Sequence, residues 1–253
     1  MNHRYGWLHE LSDERDYRYS VYRYAEATAP LPSSVDLRPK CPPVYDQNGW
    51  GSCVAQATAG ALEFDRMGQR LVDFTPSRMF VYYNGRAMEG TTKTDGGMYV
   101  RDAMKVAATL GAPPETIWTQ TQAHLLKKPS AKAYAEALKH QALQYLKLDN
   151  TQVDQLRACL AAGFPFVFGA TLYASFESAA AQKTGIVPMP KSKDQVLGGH
   201  AQLAVGYNDA TGRFLVRNSW GTGWALAGYE WMPYDYLTST KLCDDFWTIR
   251  KVE

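Results

Sequence analysis

The sequence predicts an α+β protein in which a helical part and a β-rich part enclose a cleft. Small and apolar residues recur at helical spacing up to about residue 150, and short aromatic or β-branched runs follow it. With 253 residues the chain can bury a substantial core. We therefore expect one domain over 31–253, with helices at about 31–150, strands at about 151–250, and a site in the cleft between them.

Residues 1–30 differ in composition from the rest of the chain. They are rich in Tyr, Trp and Arg but lack aliphatic periodicity, so they cannot build a core of their own. Two interpretations stay open. The segment is either a loosely attached tail or a strap that lies across the cleft as a pro-segment would. Pro30-Leu31-Pro32 then predicts an extended connector, because proline disfavours helix at itself and just before itself.

Three segments have the spacing and boundaries of helices. Residues 53–67 place small and apolar side chains on one side, and Ser52 just before them is a natural N-cap. The second helix is predicted at 99–110, where Gly111 ends it, and the third at 130–144.

Later segments predict strands, because they are short, aromatic or β-branched, and bounded by Gly, Asn, Asp or Pro. These strands are expected at 164–172, 201–207, 213–218 and 228–232. The turn residues between 207 and 213 predict a hairpin there.

Bulk composition excludes several function classes. The chain is 45% hydrophobic and 21% charged, which argues against disorder. The net charge of +2, without a basic stripe, gives no case for nucleic acid binding. No run approaches the roughly 18 apolar residues of a membrane helix. An apolar stretch typical of a secretory signal is also missing from the N-terminus, which favours the cytoplasm. We expect a monomer without a cofactor.

Cys53 is the cysteine with catalytic surroundings. The other three, Cys41, Cys159 and Cys243, are too scattered for a disulfide scaffold, and the lack of a CxxC pair argues against structural zinc. Cys53 follows a Gly-Ser turn and opens a predicted helix, where unpaired N–H groups and the helix dipole favour a thiolate. It is therefore the candidate nucleophile.

Three polar residues complete a catalytic hypothesis. The side-chain amide of Gln47 and the backbone N–H of Cys53 are candidate donors to an oxyanion. His200 follows two glycines and leads into an apolar strand, which suits a general base, whereas the other four histidines are expected to be solvated. Asn218 would fix the imidazole tautomer, and Trp220 would cover that hydrogen bond.

These pieces resemble the three signature blocks of papain-like cysteine peptidases (clan CA, family C1). Their order and separation agree with that family. Residues 32–38 are similar to the family's mature N-terminus, so the resemblance spans about 31–250. The leading segment resembles the short N-terminal extension of bacterial members. The blocks are Gln47-x-x-x-Gly51-Ser52-Cys53, Gly199-His200-Ala201 and Asn218-Ser219-Trp220-Gly221-Thr222-Gly223-Trp224.

The resemblance implies a papain-like fold with a helical left and a β-rich right subdomain. It implies hydrolysis of peptide or protein substrates through a thioester acyl-enzyme. Cys53 would be the nucleophile, His200 the base and Asn218 the orienting residue. Gln47 would belong to the oxyanion hole and Trp220 would shield the His–Asn pair.

The resemblance also implies substrate-binding residues. Gly96 and Gly97 match the family's Gly-Gly segment, so Gly97 would pair with an extended substrate backbone as an added strand. Met98 and Ala201 would line the pocket for the P2 side chain, and Gly199 would leave it open. A hydrophobic P2 side chain is the implied preference.

Two departures from the family pattern leave the reacting groups unchanged. Val54 stands where the family usually has a tryptophan, and Trp50 stands where it has a cysteine, so a common family disulfide cannot form. Cys159 and Cys243 are then expected to be free thiols, whereas a bridge to Cys41 stays open. Two alternative functions also stay open: acyl transfer to an amine, and non-catalytic binding on the same scaffold.

Overall fold

A computed structural model describes residues 3–19 and 30–253 of the chain. Residues 20–29, which include Tyr22 and Tyr24 of the aromatic N-terminal segment, lie outside the described ranges, as do the first two residues. Seven α-helices lie within the described part: α1 (Cys53–Gly68), α2 (Arg78–Met88), α3 (Val100–Thr109), α4 (Ala131–Ala137), α5 (Val153–Ala161), α6 (Ala179–Thr184) and α7 (Tyr234–Thr238).

An antiparallel sheet forms the second layer. Over residues 3–19 and 30–253 its strands follow the order β2-β7-β3-β4-β5-β6, with β1 paired to β4. In the register of this sheet Leu203 lies opposite Arg217, so Asn218 emerges from β5 near the part of β4 that holds His200. The strands are β1 (Ser34–Asp36), β2 (Ala142–Lys147), β3 (Phe166–Tyr173), β4 (Val196–Asn208), β5 (Arg213–Arg217), β6 (Tyr229–Pro233) and β7 (Cys243–Val252).

Helix α1 lies between the other helices and the sheet. Every residue from Cys53 to Arg66 is buried, which is the pattern of a helix packed on all sides. Small side chains permit this close approach. A Cβ at Gly60, for example, would lie 2.4 Å from Nη1 of Arg217 on β5. The helix therefore delivers its first residue, Cys53, to the boundary between the helices and the sheet.

The α+β prediction is confirmed, and the four predicted strands are present with shifted ends. The hairpin is present too, because Asn208 pairs with Arg213. The predicted division near residue 150 is crossed by the sheet, since β1 and β2 come from the first part of the chain and pair with β4 and β7.

One local prediction was wrong, and another was confirmed in position only. Of the helix expected at 130–144, only α4 is formed, and residues 142–144 belong instead to strand β2, whose backbone pairs with β7 from the far end of the chain. Ser52 occupies the N-cap position of α1 but makes no side-chain capping bond. Its hydroxyl instead accepts a hydrogen bond from the side-chain amide of Gln56, 3.2 Å away.

All four cysteines are free thiols, so the bridge left open for Cys41 is not formed. Across the described ranges, no helix combines the length and the apolar character that a membrane span requires.

Candidate active site

The described N-terminal residues from His3 to Tyr19, here called the strap, begin inside the cleft. Trp7 N–H donates to the carbonyl of Gly199 at 2.9 Å, and Met98 N–H donates to the carbonyl of Gly6 at 2.9 Å. A Cβ at Gly6 would lie 1.9 Å from the carbonyl oxygen of Gly51, so only glycine fits this point of the strap. The strap therefore passes between the helical and β-rich sides of the cleft.

Cys53, the predicted nucleophile, is fully buried at the start of α1. Burial raises the pKa of its thiol to about 11, and hydrogen bonds from the backbone of Ala201, Gly6 and Val54 oppose that rise. The sequence predicted a thiol acidified by the helix start. The structure differs because, with the strap in place, loss of solvent outweighs the helix N–H groups.

His200, the predicted base, is held by Asn218. The two side chains meet with Nε2 of His200 2.9 Å from Oδ1 of Asn218, and burial lowers the pKa of the imidazole to about 4 whereas this hydrogen bond raises it. Since Oδ1 is an acceptor, Nε2 carries the proton. Within the described residues, Nδ1 of His200 is buried without a hydrogen-bond partner. The neutral imidazole is therefore left with Nδ1 as its free basic nitrogen.

Aromatic rings cover the histidine. Trp220 stacks on His200 with ring centroids 4.8 Å apart, and His3 of the strap stacks on Trp220 at 3.8 Å. The Nδ1 atom of His3 also lies 3.1 Å from the carboxylate of Glu177. The prediction of a solvated histidine was therefore wrong for His3, because the strap carries it into the cleft.

Gln47 is oriented by the segment that follows Asn218. Ser219 Oγ donates to Oε1 of Gln47 at 2.8 Å, which turns the amide nitrogen toward two carbonyls. This nitrogen donates to Trp50 O at 2.6 Å and to Arg4 O of the strap at 3.0 Å. The predicted oxyanion donor thus already binds a peptide carbonyl that lies in the cleft.

The indole of Trp7 fills a pocket whose walls are glycines. A Cβ at Gly169 or at Gly199 would lie within 2.0 or 2.9 Å of indole atoms, so both positions must lack a side chain. The indole N–H donates to Oδ2 of Asp245 at 2.9 Å. This pocket is where the P2 side chain was expected, but neither Trp7 nor Asp245 was identified from the sequence. Nothing in the local pattern distinguishes Asp245 from the neighbouring Asp244.

Gly97, predicted to pair with a substrate backbone, makes no backbone hydrogen bond to the strap in the described part of the chain. Gly97 N–H donates to the Tyr82 hydroxyl at 3.1 Å, whereas Met98 makes the backbone hydrogen bonds to the strap. The Met98 side chain packs against Gly85 of α2, so Met98 contributes its backbone to the cleft. Gly96 is exposed and, among the described residues, makes no backbone hydrogen bond to the strap.

Most of the chain matches a known protein family. A family model described as papain family cysteine protease matches residues 31–244. The chain is a member of the papain family. It is therefore a hydrolase that acts on peptide or protein substrates, as the sequence predicted.

Individual relatives support the same assignment. Xylellain, a cysteine protease from Xylella fastidiosa, is 39% identical with a TM-score of 0.92, over 100% of this chain and 97% of xylellain. A peptidase C1-like protein of Acanthamoeba polyphaga mimivirus is 35% identical over 100% of this chain and 88% of that protein. Digestive cysteine proteinase 1 of Homarus americanus is 29% identical, and the match spans 62% of it. The predicted resemblance to bacterial papain-like peptidases is confirmed.

In this papain-family protease the strap is fastened beyond the cleft by two buried carboxyls. Glu10 and Asp245 each have one buried oxygen without a donor in the described part of the chain, and a proton shared between them would satisfy both. Burial raises the pKa of both groups, and their mutual repulsion adds to this for Glu10. Arg101 lies 3.1 Å from Glu10 and opposes the shift.

Further contacts continue along the strap. Arg101 also pairs with Asp16 at 2.8 Å, and Tyr19 N–H donates to Lys147 O of β2 at 2.7 Å. The strap of this protease is thus attached along its described length, from His3 to Tyr19.

One more buried carboxyl lies behind the histidine. Glu230 of β6 is fully buried and accepts hydrogen bonds from Trp224 Nε1 at 2.7 Å, from Asn218 Nδ2 at 3.3 Å and from the Gln202 amide. Burial raises the pKa of Glu230 to about 8, and these donors oppose the rise. Glu230 was not predicted from the sequence, although a glutamate inside an apolar strand was a visible signal.

Proposed function

We propose that this papain-family protease cleaves peptide bonds with Cys53 as nucleophile, His200 as general base, Asn218 as the orienting residue and Gln47 as an oxyanion donor. The proposal rests on the surroundings of the His200 imidazole. Its Nε2–H donates a hydrogen bond to Asn218 Oδ1 at 2.9 Å, and its Nδ1 has no hydrogen-bond partner among the described residues. The next residue, Ala201, contributes a backbone hydrogen bond to the Cys53 thiol, which supports placing nucleophile and base side by side.

In the proposed mechanism, Nδ1 of His200 takes the proton of the Cys53 thiol as the sulfur attacks the substrate carbonyl carbon. The carbonyl oxygen becomes an oxyanion and accepts hydrogen bonds from Gln47 Nε2 and Cys53 N–H. The imidazolium then protonates the leaving amine, and a thioester remains on Cys53. Water, deprotonated by His200, attacks the thioester, releases the carboxylic acid and restores the thiol.

We also propose that the strap restrains this activity. Its backbone lies against Cys53 and accepts the Gln47 hydrogen bond that a substrate carbonyl would need. Its Trp7 side chain occupies the pocket expected for P2. A substrate must therefore displace the strap before the thiol can react.

For the P2 side chain we propose a hydrophobic preference modified by Asp245. The glycine walls leave room for a large apolar or aromatic group such as the Trp7 side chain, which supports this preference. The Asp245 carboxyl at the end of the pocket adds an acceptor for a donor at the tip of the side chain. Side chains that combine an apolar body with an N–H group, such as arginine, therefore also fit.

Replacing the nucleophile tests the proposed function. We expect Cys53→Ala to lower kcat/KM toward a fluorogenic peptide by about 10⁴-fold or more, because loss of a nucleophile removes the covalent route. Cys159→Ala, which changes another buried cysteine, is the matched control and should retain activity. Normal turnover by the Cys53→Ala protein would disprove the proposal. Product analysis with an added amine separates hydrolysis from acyl transfer, and active-site titration with a thiol probe tests for a non-catalytic binding protein.

A further inference from the structure

Glu230 lies on the far side of Asn218 from His200. Strand β6 pairs Glu230 with Val216 of β5, two residues before Asn218. Each of its partners is an uncharged side chain that donates to it: the indole of Trp224 and the amides of Asn218 and Gln202. A buried group with this surrounding acts as an acceptor.

An asparagine amide has two orientations of similar shape, and only one is useful to His200. With Oδ1 toward His200, Asn218 accepts from Nε2 and leaves Nδ1 as the base. With the amide reversed, an NH₂ group would face the imidazole and favour the opposite tautomer. The Glu230 carboxyl beside Asn218 removes this ambiguity, since its oxygens accept from the Trp224 indole and the Gln202 amide and likewise attract Nδ2. Ser219 N–H, 2.8 Å from Oδ1, favours the same orientation.

The carboxyl also acts once His200 becomes charged. In the covered state His200 is neutral, because burial lowers its pKa. During the reaction the imidazolium forms, and Asn218 Oδ1, held toward it by Glu230, then accepts a hydrogen bond from its Nε2–H. The other titratable groups that act on His200 are His3 of the strap and Glu177, which lies before α6.

We propose that Glu230 is a positioning residue of the catalytic site, which sets the amide orientation of Asn218 and, through it, the tautomer and imidazolium of His200. This inference rests on the proposed roles of Cys53, His200 and Asn218. A purely structural role for the buried carboxyl predicts a change in stability alone, whereas a positioning role also predicts a change in the pH profile.

The test is Glu230→Gln in the full chain, measured as kcat/KM of a fluorogenic peptide across pH. Glutamine keeps the shape but offers Asn218 a donor as well as an acceptor. We expect kcat/KM to fall about 10- to 100-fold, comparable to other losses of a group that orients a functional histidine. The acidic limb of the profile should also move to lower pH, because an Asn218 that no longer accepts from Nε2 no longer raises the pKa of His200, and the neutral base then persists to lower pH. A variant with the wild-type rate and profile overturns the proposal.

Glu63→Gln is the matched control, because Glu63 is a buried glutamate of α1 that accepts from the Tyr45 hydroxyl. It should leave the pH profile in place. The strap is present in every protein compared, so the ratio of each variant to wild type removes its contribution. A Cys53→Ala protein measured in parallel separates the two proposals, since turnover there contradicts the proposed function whatever Glu230 does.

A second variant covers the case in which Glu230→Gln does not fold. Gln202→Leu combined with Glu230→Leu replaces both partners of the buried polar pair by apolar groups, a change that can be nearly neutral for stability. We expect the double variant to show the same fall in kcat/KM and the same shift of the acidic limb. A folded double variant with the wild-type pH profile overturns the proposal.

Discussion

At the scale of single residues, the two nitrogens of His200 have different surroundings. Nε2 is bound to Asn218 at 2.9 Å, and Nδ1 is buried without a partner in the described part of the protein. An imidazole with one fixed N–H and one free lone pair is prepared to accept a proton in one direction only. The direction of proton transfer in the proposed mechanism is therefore already set by the resting side chains.

Asp245 supplies the first prediction at this scale. We expect Asp245→Asn to lower the preference for arginine over leucine at P2 by about 10- to 100-fold, since hydrogen bonds to charged groups are worth about 1.5–3 kcal/mol. The measurement is the ratio of kcat/KM for two peptides that differ only at P2. The strap does not affect this ratio, because the fraction of enzyme molecules with an open cleft is the same for both peptides.

The control is Asp244→Asn, which changes the neighbouring carboxylate. Asp244 pairs with the exposed His9 at 3.1 Å instead of the Trp7 indole. It should leave the P2 ratio unchanged. An Asp245→Asn protein that retained the wild-type ratio would show that this carboxyl does not read the P2 side chain.

Local sequence identified some of these residues and not others, for a physical reason. Cys53, His200 and Asn218 stand in segments rich in glycine and turn residues, and their order along the chain matches the family pattern. Asp245 has no such surroundings. Its importance comes from Trp7, which lies more than two hundred residues earlier and approaches it only in the folded protein.

At the scale of elements, the strap behaves as an added edge of the cleft. It contributes backbone hydrogen bonds to Gly199 and Met98, a side chain to the pocket, and a carboxyl to the pair formed by Glu10 and Asp245. Lys147 lowers the pKa of both carboxyls and Asp244 raises that of Asp245, but burial is the largest influence on each. With the strap in the cleft, which is here called the closed state, Glu10 and Asp245 therefore bind more protons than they would after the strap is released.

This difference predicts a pH dependence. A pKa that is raised in the closed state stabilises that state at low pH, and the stabilisation is lost as pH rises through about 6 for Asp245 and about 9 for Glu10. Activity of the full chain should therefore rise between these values relative to a Glu10→Gln protein, whose neutral amide cannot ionise. The measurement is the ratio of the two kcat/KM profiles.

The matched control is Glu14→Gln, which changes an exposed glutamate of the same strap. Its profile should follow that of the wild type. If the Glu10→Gln and wild-type proteins showed parallel profiles over this range, the carboxyl pair would have no part in releasing the strap.

Sequence patterns located α1, α3 and four strands but failed between residues 130 and 144. Residues 142–147 form β2 because β7 offers them a complete set of backbone partners. That pairing joins segments about a hundred residues apart, and a window of local periodicity cannot detect it. The path of the strap was left open for the same reason, since its contacts also lie far along the chain.

At the scale of the whole molecule, the described state is a covered protease. The strap belongs to the core as well as to the cleft, because Trp7 and Tyr19 are buried with the other core residues. Burial raises the pKa of the Cys53 thiol and lowers that of His200. It therefore disfavours a Cys53 thiolate and a His200 imidazolium, the charged forms that would arise during the proposed attack. The same contacts would thus supply both the stability and the proposed restraint.

Trp7→Ala tests this link. We expect the variant to raise kcat/KM, because the P2 pocket is vacated, and to lower Tm, because removing a buried tryptophan side chain costs up to about 3–5 kcal/mol. Calorimetry and a peptide assay on the same sample measure both effects. A chain that begins at Leu31 should change in the same two directions.

Tyr17→Ala is the control, because Tyr17 is an aromatic residue of the strap that is 69% exposed. It should change Tm and kcat/KM much less than Trp7→Ala does. Should both Trp7→Ala and the chain that begins at Leu31 retain the wild-type substrate affinity and rate, the strap would be a stabilising segment without control over the cleft.

The loop that carries Gln47 is fastened to the β-rich side of the cleft. Gln47 N–H donates to Ser219 O and Gly221 N–H donates to Tyr45 O, each at 2.9 Å. A hinge motion that widened the cleft would therefore carry Gln47 along with His200. Cys53 would lose its proposed base and its proposed oxyanion donor in a single displacement, so the angle between the two sides would act on both at once.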